Sequence, residues 1–153
     1  MKGTISFLRQ NFGAWPLIPP AAGQPPVEVV VPYSSPALSA RALSAALDLS
    51  RGFEAVVTLM AVHVLPYPAS LEVQDGIRQR LEAELAAVVR TTPATVRVKL
   101  VFARSREDAY LGLLPRRSLV VVGAQDRWWR TRQERFARTL AAAGHSVAVI
   151  KVN

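Results

Sequence analysis

The sequence has no cysteine, only two histidines, and 11 acidic residues against 19 basic ones in 153 positions. Without cysteine there is no disulfide framework, thiolate zinc site, iron–sulfur cluster or thiol nucleophile. With His63 and His145 alone, a multi-histidine metal site is not expected, and no metal ligand is assigned. Long apolar runs are lacking too. The longest, residues 56–65, contains Thr58 and His63 and falls well short of the roughly 20 residues a spanning helix needs. Lys2 and Arg9 are followed by no signal-peptide core. The expectation is a cytoplasmic protein with no integral membrane segment.

What remains is 50% hydrophobic and 20% charged, with a net charge of +8. That composition supports a folded core rather than disorder, and the length fits one domain. Five of the 11 prolines fall between Pro16 and Pro26, which marks a stiff, extended connector. The chain therefore divides into an N-terminal arm with a Pro-rich linker, residues 1–26, and a domain, residues 27–153. Within the arm, Ile5, Leu8, Phe12 and Trp15 share one face of a short amphipathic helix. Such an arm can pack on its own domain, on a dimer mate, or on an anionic membrane surface.

From Val27 onward apolar runs alternate with helical patterns. Val27 to Pro32 reads as a strand, and Ser35-Pro36 as a helix start with serine cap and proline at the first position. Leu38, Ala42, Ala45 or Ala46, and Leu49 form that helix's buried stripe, with Gly52 as its C-cap. A second strand follows from Ala55, and a long helix from Leu71 to Arg90 carries Ile77, Leu81, Leu85 and Val88 on one side. Arg78 with Glu82, and Arg80 with Glu84, suit i,i+4 pairing along it. Strands near residues 95–102, 119–123 and 147–152 are separated by helices near 106–114 and 129–143. The alternation predicts an α/β domain with a parallel sheet and helices on both faces.

Several segments, in order, resemble the universal stress protein family. Val29-Val30-Val31-Pro32-Tyr33-Ser34-Ser35 is similar to its opening valine-proline-x-aspartate-glycine-serine segment. Leu38-Ser39-x-Arg41-Ala42-Leu43 resembles its first helix, and Val62-His63-Val64 its second strand. Val120-Val121-Val122-Gly123 resembles the strand entering the phosphate loop, and Val147-Ala148-Val149-Ile150 the closing strand. The resemblance spans residues 27–153. It implies an open five-stranded parallel sheet, order 3-2-1-4-5, of the adenine nucleotide alpha hydrolase-like kind. It also implies a homodimer through the closing strand from Val147 to Val152, whose valine-rich edge needs cover.

ATP-binding members of that family carry a strand-one aspartate and a Gly-x2-Gly-x9-Gly-Ser/Thr segment, whose glycines let backbone N–H groups reach phosphate oxygens. Here Ser34 stands at the aspartate position and Ser35 at the following glycine. The second loop glycine falls on Asp126, and no glycine occurs between Gly123 and Gly144. Conventional ATP binding is therefore expected to be lost or much weakened. The alternative is an arginine-substituted phosphate site for ATP, AMP or another anion, formed by Ser34, Gly123, Arg127 and Arg130.

Residues 127–138 hold five arginines against one glutamate. Read as a helix, Trp129, Gln133, Phe136 and Leu140 face one way, with Arg127, Arg130, Glu134 and Arg138 on another side. The stripe suits packing on the sheet. The charge suits an anionic partner at Arg127 to Arg138, including nonspecific nucleic-acid association with Trp128 free to stack. No catalytic set is assembled: His63 reads as a core or dimer-interface residue, His145 as an exposed turn residue, and the neighbouring Glu107 and Asp108 suit a helix N-terminus. The expectation is a non-catalytic, regulatory or binding module.

Overall fold

The valine runs form strands because β-branched side chains suit a pleated surface buried on both faces. The structure, a computed structural model, describes residues 4–8, 27–52, 54–65, 70–92, 94–115 and 118–153, with side chains from Val27 onward. Five strands run parallel: β2 (Val27–Pro32), β3 (Ala55–Val64), β4 (Arg97–Ala103), β5 (Leu119–Gln125) and β6 (Ser146–Val152). Counted from Val27 in chain order, they lie 3-2-1-4-5, as expected. A further strand, β1 (Thr4–Leu8), adds antiparallel to the outer edge of β6, with Thr4 opposite Lys151 and Leu8 opposite Val147.

That strand replaces the helix expected at Ile5 and Leu8. A lone short helix has a costly nucleus. The edge of β6 instead offers a ready row of hydrogen-bonding groups to a β-prone Thr-Ile-Ser-Phe-Leu segment. Phe12, Trp15 and the prolines from Pro16 to Pro26 lie outside the described residues. The edge expected to dimerise is thus covered within the chain by its own arm.

Four helices link the parallel strands: α1 (Pro36–Leu49), α2 (Leu71–Arg90), α3 (Arg106–Leu113) and α4 (Arg132–Ala142). Each starts at a hydroxyl cap, Ser35, Ser70, Ser105 and Thr131, whose oxygen accepts the N–H three residues on. Each such cap contributes about 1 kcal/mol. Alternation along the strands divides the core. Val29, Val31, Leu59 and Val121 face α1 and α2, where Leu43 and Leu85 are buried. Val30, Val120, Val122 and Val149 face α3 and α4, where Tyr110, Phe136 and Leu140 are buried.

Several local expectations are corrected. Helix α4 begins at Arg132, not Trp129, because Thr131 and Glu134 close a capping box. Ser50, not Gly52, caps α1, and Gly52 follows at φ +91°. Glu84 turns to Tyr33, and Arg78 lies over the Phe102 ring, instead of pairing along α2. His145 is buried, 7% exposed, rather than solvated: its Nδ1 accepts the Ser118 N–H at 3.1 Å. Gly144, at φ +98°, turns the chain sharply enough to bring that ring back under the start of β5.

Candidate functional site

In an open parallel sheet, ligands collect at the carboxyl ends of the strands, where successive connections leave to opposite faces. Here β2 is that divide, paired with β3 on one side and β5 on the other. A cleft of about 570 Å³ opens there. The end of β2 and the start of α1 give it Tyr33, Ser34 and Ser35; the end of β3 gives His63; α2 gives Glu84. Arg106, the first residue of α3, and Arg132 and Gln133, at the start of α4, complete the wall.

Packing fixes these groups. The Arg106 guanidinium lies 4.4 Å over the Phe136 ring and 5.8 Å from that of Tyr110, within cation–π range. Tyr110 is held in turn by donating to the Met60 carbonyl oxygen at 2.7 Å. Tyr33 donates its hydroxyl to Glu84 Oε2 at 3.0 Å. Burial, then the hydrogen bond and charge of that carboxylate, push the Tyr33 pKa up to about 12. Tyr33 is therefore a neutral donor at physiological pH, not a phenolate base. His63 meets Phe102 edge-on at 6.0 Å and belongs to the cleft wall rather than the core.

The serines divide their work. Ser35 Oγ accepts the Leu38 N–H, and Ser39 Oγ accepts the N–H of Ser34. The Ser34 hydroxyl itself has no hydrogen-bond partner among the described residues, which leaves it for a ligand. Arg106 and Arg132 outnumber the single carboxylate of the lining, Glu84, so the cleft is net positive and favours an anion.

Of the four residues expected to hold a phosphate, only Ser34 lines this cleft. Arg127 and Arg130 lie outside it and are exposed; Arg127 Nε donates to Gln125, and its guanidinium lies over the Trp129 ring. Gly123 is buried against α1. A Cβ there would sit 2.5 Å from the Leu38 carbonyl oxygen, so its bare backbone accommodates a helix rather than a phosphate. At the start of α4, the Glu134 carboxylate accepts the Thr131 N–H and pairs with Lys151. An internal anion thus occupies the helix end where a glycine loop would present phosphate. Sequence spacing gives no sign of Arg106, because only the packing of α3 on the Phe136 face brings it into the cleft that Ser34 lines. The Thr131-x-x-Glu134 signal was there to be found.

Among the described residues no group of three or more His, Asp or Glu side chains is arranged to hold a metal, and no helix is long and apolar enough to cross a membrane. No protein-family model matches this chain, and no curated protein matches it.

Proposed function

We propose that this chain is a universal-stress-protein-like binding and regulatory module, non-catalytic and cytoplasmic, whose cleft takes a small anionic ligand without a glycine cradle. The observation that carries this reading is the convergence of Arg106 and Arg132 with the unpartnered Ser34 hydroxyl at the carboxyl ends of the strands. Guanidinium forks bind phosphate or carboxylate oxygens in pairs. Adenine nucleotides are the first class to test, since the resemblance of residues 27–153 points to them. AMP fits better than ATP, because Glu134 fills the α4 terminus and the loop ahead of it carries bulky Trp128 and Trp129. Homodimerisation through β6 fits this reading only where Thr4–Leu8 leaves that edge.

The test is thermal unfolding with AMP, ATP, inorganic phosphate or simple carboxylates, at low and high salt. A ligand at about 100 times its Kd stabilises by about 2.7 kcal/mol. Each kcal/mol moves Tm by roughly 2–4 °C at this size. A salt-resistant shift with one of these anions supports the cleft as a binding site, and none with any of them rejects it.

A further inference from the structure

The loop ahead of α4, residues 127–131, lies outside the cleft and continues into a surface of its own along α4. Trp128 is 92% exposed and Trp129 49%, the largest exposed aromatic surface among the described residues. The two rings meet edge to face at 5.1 Å, and Arg127 lies 5.4 Å from the Trp129 centroid. One indole is thereby braced while the other stands open to solvent. Directly after it come Arg130, Arg132, Arg135 and Arg138, all exposed. The single acid of residues 127–138, Glu134, is turned inward, 12% exposed, onto Lys151 and the Thr131 N–H. No carboxylate of the segment remains to neutralise its arginines.

We propose that residues 127–138 form a docking surface for single-stranded nucleic acid. Trp128 is the platform for one base, and Arg130, Arg135 and Arg138 are the contacts to successive phosphates. A base needs one open aromatic face, and every base has a π-face to offer it. Phosphates need uncompensated cations, and arginine binds them in paired hydrogen bonds. An anionic membrane would be met differently: insertion calls for several apolar side chains side by side. Between Gln125 and Arg138 the only exposed apolar residues are the two tryptophans, since Phe136 and Ala137 are buried. A duplex hides its base faces, so it offers Trp128 nothing to stack on.

The test is fluorescence anisotropy of a labelled single-stranded oligonucleotide with the full-length protein. The same sequence as duplex, and co-sedimentation with phosphatidylserine-containing vesicles, serve as parallel arms. The single strand is expected to bind more tightly than the duplex. With about three phosphates engaged, the log–log salt slope is about −2, which is about an 18-fold loss between roughly 50 and 200 mM salt. Trp128→Ala is expected to weaken binding about tenfold, and Trp128→Phe to recover most of it. Arg135→Glu with Arg138→Glu should weaken binding further and flatten the slope. All three positions are exposed, so Tm should hold. The proposal is overturned if Trp128→Ala binds like the parent, if duplex binds as tightly as single strand, or if vesicles capture the protein and oligonucleotide does not. These variants leave Ser34 and Arg106 intact, so the anion-induced shift of the cleft is read separately.

Discussion

Gly123 and Leu38 touch through their backbones: a Cβ added to Gly123 would lie 2.5 Å from the Leu38 carbonyl oxygen and 3.0 Å from its carbonyl carbon. Strand β5 and the first turn of α1 are therefore in contact with no side chain between them. Gly123→Ala forces that turn outward, and with it Ser34 and Ser35 at the cleft. Overpacking of this kind costs about 1–3 kcal/mol. The expected result is a lower Tm, by roughly 2–4 °C per kcal/mol, together with weaker ligand-induced stabilisation. An unchanged Tm in calorimetry would contradict the close approach.

His145 ties the start of β6 to that of β5, since its Nδ1 accepts the Ser118 N–H and the N–H of Ser146 donates to the Ser118 carbonyl oxygen. An accepting Nδ1 needs neutral imidazole, and burial holds the pKa below its ordinary 6.5. The unfolded chain then takes up the proton more readily than the folded one. The stabilisation is fully present above pH 6.5 and is lost progressively as pH falls below that value. Urea midpoints measured across that range should decline toward acid. His145→Asn keeps an acceptor without a titrating ring and should flatten the decline; an equal acid slope in that variant would assign it to other groups.

The cleft separates two sets of arginines. Arg106→Gln with Arg132→Ala should abolish any anion-induced rise in Tm, because both cations of the cleft are removed. Arg127→Ala with Arg130→Ala should leave that rise in place, since both lie outside the cleft. Thermal unfolding with the best ligand distinguishes the two, and the reverse pattern would move the site to the loop before α4.

Residues Thr4–Leu8 protect an edge that otherwise invites pairing. With the arm in place, light scattering is expected to report a monomer. Deleting residues 1–8, or placing proline at Ser6, should expose β6 and produce concentration-dependent self-association. A dimer of the intact chain that persists after the deletion would show that the arm does not guard this edge.

The domain's order was legible from Val27 onward because local chemistry and global fold agree. Ser35-Pro36 starts a helix wherever it lies, and Leu119-Val120-Val121-Val122 has no solvent-facing side to lose. The first and last residues of α2, Leu71 and Arg90, match the periodic run in the sequence. The candidate site was legible only at Ser34. Its position is set by the strand that carries it, whereas the arginines were assigned by nearness in sequence to Gly123. The structure brings Arg106 and Arg132 to the cleft.

Composition and period thus determined the five parallel strands, the four helices and the lack of a glycine-rich loop after β5, since each depends on residues near one another in the chain. Tertiary structure alone decided which arginines line the cleft with Ser34, that Gly123 makes room for α1, that His145 is buried, and that the arm closes the edge of β6. Those outcomes depend on which surfaces meet when helices fold back across a sheet. No spacing along the chain encodes a contact between Gly123 and Leu38, because it exists only once both have been packed against the same strands.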